Sequence, residues 1–417
     1  MEPRRTAKPG EATSTGEAWR TPGMILGAGA LVLGLAVGIR HGFGLFMQPV
    51  SMANGWGREV FAFAIAVQNL IWGAAQPFAG GLADRFGAGR VLLAGAALYV
   101  TGLLVMACAT SPGVLLLGAG VLVGLGLSGT TFAIVFGAVS RAVAPDRRTG
   151  AMGVVSAIGS LGQFVMLPVT LWLIGGLGWS AALLVLAALA AAMAPLAAML
   201  GERPGAAHAE PALTGRQALA EAFGERGFWL LCLGFFVCGF QVVFIGTHLP
   251  AFLLDRGLSL EHGTTVLALI GLFNVAGSYL AGRWGNLARK PLLLAGIYVG
   301  RAVAIALFLV APVSAGSAYA FGIAMGLLWL STVPLTNGVV AAVFGARNLS
   351  MLGGVVFLFH QVGAFLGGWL GGVAYDRLGS YTLVWLAAIG LGLVAALLNL
   401  PIKEAPVPRL AAAVPAP

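Results

Sequence analysis

The sequence predicts an all-α membrane protein with twelve transmembrane helices in two parallel six-helix repeats, and three observations carry that prediction. Of the 417 residues, 59% are hydrophobic and only 9% charged, so most of the chain cannot fold around a core wrapped in water. Crossing about 30 Å of hydrocarbon as helix takes roughly 20 apolar residues. Twelve such stretches can be placed, at 24–49, 60–82, 91–110, 113–139, 150–174, 179–200, 227–252, 263–282, 291–311, 317–343, 350–373 and 381–401. The starts of the first six differ from those of the last six by a steady 200 to 204 residues, as copies of one unit would. Six spans return a chain to its starting side, so the copies run parallel.

In chain order, a polar tail (1–23, with Pro3, Pro9 and Pro22) leads into an N-terminal six-helix bundle (24–200). The tail lacks a short apolar core followed by a small-residue cleavage site, so it reads as a disordered cytoplasmic tail and not a signal peptide. A cytoplasmic linker (201–226) carries Pro204, Pro211 and a short helix expected from Arg216 to Glu225. The C-terminal six-helix bundle (227–401) and a second cytoplasmic tail (402–417) follow. Glycines repeat at four-residue spacing, as Gly34/Gly38/Gly42, Gly120/Gly124, Gly363/Gly367/Gly371 and Gly368/Gly372. Such spacing puts small residues on one helix face, so that backbones approach closely inside a bundle. A monomer is expected, with dimerisation through these faces as the alternative.

The formal net charge of +9 would suggest a nucleic-acid partner in a soluble protein, so the placement of Lys and Arg decides. With the N-terminus inside, the inside tails and loops hold 18 of them and the outside loops three, Arg58, Arg256 and Arg377. That bias sets both termini in the cytoplasm; the expected partner is the lipid bilayer, with no nucleic acid. Basic charge is 20 Arg against 3 Lys in a chain rich in Ala, Gly and Leu, the mark of a GC-rich bacterial gene and hence a bacterial inner (plasma) membrane. Cys108, Cys232 and Cys238 lie in or at the end of apolar runs without metal-ligand spacing, so no metal and no cofactor is expected. No Ser/His/Asp grouping or phosphate loop stands at usable spacing, which argues against an enzyme.

Between the second and third spans lies a short glycine-rich charged stretch, Gly80-Gly81-Leu82-Ala83-Asp84-Arg85-Phe86-Gly87-Ala88-Gly89-Arg90. A degraded echo follows in the second repeat as Leu280-Ala281-Gly282-Arg283-Trp284-Gly285, with Gly282 where the first copy has Asp84. A six-plus-six parallel repeat with Gly-x-x-x-Asp-Arg-x-Gly in this loop resembles the major facilitator superfamily, over essentially the whole chain. By that resemblance Gly80, Asp84, Arg85, Gly87 and Arg90 form a cytoplasmic latch. Asp84 would clamp the start of the eleventh span near Ser350, with Arg141 leaving the fourth span close by. The motif here closes on Arg90 alone, where the family often has two basic residues. Lacking the acid, the second copy cannot make the same bond.

Arg40-His41-Gly42-Phe43-Gly44, His360-Gln361-x-Gly363 and Tyr375-Asp376-x-x-Gly379 look like bacterial members of the monocarboxylate and oxalate/formate porter branch. Members of that branch often carry Asp and Arg in the eighth span or Lys in the eleventh, whereas this chain offers Asn274 and His360.

All fourteen acids lie in tails, loops or span ends. Arg40 and Arg301 therefore sit within spans without an obvious acidic counter-ion, and a charge there usually faces a wet cavity or a partner. Arg40 is a candidate anchor for a substrate anion, or else a snorkelling or structural group; His41 points about 100° away on the helix. Arg301 reads first as a structural brace, since ninth spans are peripheral in the superfamily. His360 and Gln361 lie mid-way through the eleventh span, where a buried neutral His is the plain alternative. Gln241 and His248 share a face of the seventh. Thr332-Val333-Pro334-Leu335-Thr336-Asn337-Gly338 is expected to interrupt the tenth span, where the proline frees a backbone carbonyl to line a cavity or to serve as a hinge.

The leading reading is a secondary active transporter of small organic anions by alternating access, with Arg40, His41, Gln241, Arg301, Asn337, His360 and Gln361 as substrate-site candidates. The substrate is a small molecule, with a proton as candidate co-substrate. An exporter of amphipathic or drug-like compounds is the alternative, if Phe43, Trp72, Phe244 and Trp329 line one cavity. A non-transporting membrane sensor is the remaining reading.

Overall fold

The computed structural model describes residues 21–201 and 213–411. Most of the N-terminal tail, Pro204 and Pro211 of the linker, and residues 412–417 lie outside the described residues. Among the described residues, twelve helices are long and apolar enough to cross a membrane. They are α1 (Pro22–Asn54), α2 (Val60–Phe86), α3 (Ala88–Ala107), α4 (Pro112–Ala142), α5 (Pro145–Leu177), α6 (Trp179–Met199), α7 (Arg226–Asp255), α8 (Glu261–Gly285), α9 (Lys290–Val310), α10 (Ala315–Phe344), α11 (Leu349–Tyr375) and α12 (Thr382–Asn399). Helix satisfies every backbone group within the segment, which hydrocarbon demands.

Several helices outrun their apolar stretches by about a turn. The second is continuous to Phe86, so Asp84 and Arg85 belong to its last turn and not to a loop. Polar side chains at a helix end can lie beyond hydrocarbon, so apolarity alone underestimates length. The reversal into α3 is left to Gly87, at φ 94, a conformation that Cβ-bearing residues rarely adopt.

The glycine stripes pack helices within each half. A Cβ on Gly38 would lie 2.7 Å from Gly162 O on α5, and one on Gly363 would lie 1.9 Å from Phe236 O on α7. These contacts use the stripes of α1 and α11 inside the bundles. A short helix, Gly215–Gly224, precedes α7, opened by a capping box of Thr214 and Gln217. The chain after α12 folds back beneath the second half: Val407 N–H donates to Val343 O at 3.0 Å, and Arg409 pairs with Glu221 at 3.1 Å.

The halves meet along two seams. On one, α2 crosses α11 at Gly80, where a Cβ would lie 2.2 Å from Ser350 O. On the other, α5 crosses α8 where Gly153 and Gly282 face each other, each Cβ position 2.5 Å from the opposite Cα. The hydrogen bonds seen across the seams among the described residues run from the Asp84 end, here the latch face, to mid-span, where Asn274 Nδ2 donates to Ser160 Oγ at 2.8 Å. Continuing the seam stripes toward the opposite face, Ala62 and Ala66 on α2, Phe365 and Trp369 on α11, and Phe164 and Pro168 on α5 are exposed. The molecule is closed at the latch face and parted at the other.

Candidate functional site

The regular helix of α1 ends at His41 and gives way to a 3-10 turn, Gly42–Phe46, before resuming. Arg40 stands at that break, half-buried at mid-span. Its Nη2 donates to Asn69 Oδ1 on α2, and its guanidinium lies over the Trp72 ring, 5.1 Å from the centroid. Both partners are fixed in turn. Asn69 Nδ2 donates to Ile65 O at 3.0 Å, which turns Oδ1 toward the cation. Trp72 Nε1 is shared between Gln76 Oε1 and Thr131 Oγ1, each at 3.0 Å. Arg40 Nε is buried without a hydrogen-bond partner, and among the described residues Arg40 makes no ion pair. A guanidinium has five N–H donors in a fixed fork, and the bond to Asn69 leaves part of that fork without a hydrogen-bond partner.

The second half closes on the same place. Gln361 Nε2 donates to Asn69 O at 3.1 Å, and its Oε1 lies 3.2 Å from His360 Nδ1. Since that amide oxygen can only accept, His360 Nδ1 carries the hydrogen. The His360 ring stacks on Phe357 at 5.4 Å, and Phe357 packs on Trp72 at 4.9 Å. Arg40, Asn69, Gln361 and His360 thus form one hydrogen-bonded chain from α1 through α2 to α11.

The other candidates lie elsewhere. His41 is exposed, with Nδ1 on Val37 O at 2.8 Å. Asn337 is buried, its Nδ2 donating to Val333 O at 3.0 Å. Its Oδ1 has no partner and faces Gly353, two turns toward the latch from His360. Gln241 and Arg301 join each other, at 3.3 Å, behind the broken α10. His248 Nε2 lies 2.8 Å from Gly368 O, a packing contact between α7 and α11. Of the four aromatics of the exporter reading, Phe43 packs on Phe46, Phe244 on Trp385 and Trp72 on Phe357, and Trp329 is buried at the break in α10.

The break in α10 falls at Trp329–Ser331, ahead of Pro334, between helices Ala315–Leu328 and Thr332–Phe344. Pro334 sits in the first turn of the second piece, where its missing N–H is no loss. Arg301 is fully buried and caps the first piece: Nε and Nη2 donate to Leu328 O at 3.0 and 2.7 Å, and Nη2 also to Trp329 O. A cation at a helix C-terminus is stabilised by the dipole, which is how this one persists without an acid. Arg301→Leu is expected to orphan these carbonyls and destabilise the fold by about 3 kcal/mol. Thermal unfolding in detergent checks this; an unchanged midpoint contradicts it.

At the latch face, Asp84 Oδ1 lies 2.9 Å from Arg141 Nη1, with the two side chains 4% exposed each. Ser350 N–H donates to Oδ1 at 3.2 Å and Met351 N–H to Oδ2 at 2.8 Å. Arg141 Nη1 also reaches Ala346 O at 3.3 Å. The first N–H groups of a helix have no partner of their own and carry its positive end, so α11 begins on this carboxylate. Gly80 permits the crossing and Gly87 the turn. Arg85 and Arg90 are exposed, Arg85 lying over the Phe86 ring at 5.0 Å.

Two six-helix repeats spanning a membrane, joined at one face and parted at the other, with a cation between them at mid-span, define a membrane transporter. The chain belongs to the Major Facilitator Superfamily, whose description matches residues 26–333. It is similar to "Monocarboxylate transporter 11" of Mus musculus, at 28% identity over 91% of this chain and 86% of that one. An uncharacterized MFS-type transporter of Bacillus subtilis, YcxA, is 25% identical over 83% and 86%. Among solved structures, the E. coli fucose:proton symporter FucP shares the fold at TM-score 0.70 and 12% identity, over 90% of this chain and 97% of that one.

Among the candidate site residues read from the sequence, Asn69 is passed over and Trp72 stands with the aromatics of the exporter reading. Their spacing was the available signal, since Asn69, Trp72 and Gln76 lie three and four apart on one face of α2.

Proposed function

We propose that the protein is a secondary transporter of small organic anions of monocarboxylate type, moved by alternating access of the two halves about Arg40. The observation that carries this reading is Arg40 itself, a half-buried mid-span guanidinium held by a neutral amide and an aromatic face, with no acid paired to it among the described residues. A carboxylate matches that fork in geometry and charge. Gln361 and His360 lie one link away in the second half, so a substrate on Arg40 meets both halves. The relatives named as monocarboxylate transporters support the same substrate class. The distribution of Lys and Arg supports a cytoplasmic latch face, and with that orientation this state is open outward. A proton is the candidate co-substrate. Purified protein in liposomes, given a panel of carboxylates and of amphipathic cations with and without an imposed pH gradient, tests the reading. Uptake confined to carboxylates is expected; transport of the cations alone would overturn it.

A further inference from the structure

The second repeat lacks the latch acid, yet its seam is clasped by the same device one helical turn later. On α2, Gly80 gives the close crossing and Asp84, four residues on, accepts the Met351 N–H at 2.8 Å. On α8, Gly282 gives the close crossing and Asn286, again four residues on, accepts the Gly150 N–H at 2.9 Å. The receiving groups also correspond. Met351 is the third residue of the helix Leu349–Leu378, and Gly150 the third of Arg148–Leu177. Neither helix has a side-chain cap from its own flank. Each is capped across the seam, by the other half.

An acid at position 282 would not restore the first pattern, because a Cβ there lies 2.5 Å from Gly153 Cα and 2.9 Å from Thr149 O. The glycine is needed for the crossing, and the acceptor has moved one turn along. Nor are the two clasps equal in strength. Asp84 is charged, buried and paired with Arg141, whereas Asn286 is neutral and exposed.

We propose that Asn286 is the second clasp of the gate, a positioning residue that caps α5 only while the latch face is closed, and that parting of this face begins at the weaker α5–α8 seam. The proposal needs only the family's transport cycle and is independent of the substrate Arg40 takes.

The test uses full-length protein in lipid nanodiscs, with Cys108 replaced by Ser and spin labels at positions 147 and 284 on the two sides of this seam. Distance distributions are recorded for the parent, Asn286→Ala and Asn286→Asp. Losing an N-terminal cap amounts to roughly a fivefold change in equilibrium. Asn286→Ala is therefore expected to raise the ratio of parted to closed molecules about fivefold. Asn286→Asp, which adds charge at the α5 N-terminus, is expected to lower it. Opposite shifts support the clasp. An unchanged ratio in both variants, or shifts of the same sign, would overturn it. Should the alanine variant fail to fold, Asn286→Asp and Asn286→Ser decide by the same sign rule. A purely structural role would lower the unfolding temperature without moving the ratio.

Discussion

Arg40→Gln is expected to lower carboxylate uptake in liposomes by roughly tenfold to a hundredfold, the range for losing a hydrogen bond to a charged group. The substitution leaves a side chain able to reach Asn69, so α1 keeps its packing and the protein its fold. What is lost is the charge and the planar fork of donors over Trp72. Arg40→Lys restores charge without the fork, and an intermediate rate is expected. Because Trp72 is held separately by Gln76 and Thr131, the aromatic shelf stays in place in both variants. Unimpaired carboxylate uptake by Arg40→Gln would remove Arg40 from the site.

Asp84→Asn is expected to slow turnover at least tenfold while changing substrate affinity far less. Asp84 lies fifteen residues from Asn69 along α2, about 22 Å at 1.5 Å per residue, so it does not touch a substrate on Arg40. The asparagine keeps the shape but not the charge. One of its terminal groups becomes a donor facing the amides of Ser350 and Met351, and Arg141 is left buried without its acid. Breaking a buried pair on one side costs about 3 kcal/mol or more, which would depopulate the state closed at the latch face. Initial uptake rates against substrate concentration separate the two effects. Unchanged turnover would take Asp84 out of the mechanism.

The fold was legible because hydrocarbon imposes a length and a composition on each span, and the repeat imposes a register. The latch was legible because Gly80, Asp84 and Gly87 lie in one short stretch. Its partners were less so, since Ser350 and Met351 contribute backbone amides, which every residue has. Asn286 escaped because comparing the repeats position by position finds Gly282 and stops, whereas the clasp reappears one turn later. Arg40 could be singled out as a charge inside a span. That Arg301 instead caps a broken helix depends on where α10 breaks, and Pro334 pointed to the region but not to Trp329–Ser331. The joining of Gln241 to Arg301, and of Gln361 to Asn69, is tertiary, linking residues 60 and 292 apart in the chain.

Arg40 is proposed to select a carboxylate for movement across the membrane. Counterflow tests it most directly: liposomes preloaded with an unlabelled monocarboxylate take up the labelled form, in competition with the same carboxylate or its isosteric amide outside. The carboxylate is expected to compete, and the amide, alike in shape but uncharged, is not. Equal competition by the amide, or no counterflow of any monocarboxylate, would contradict it.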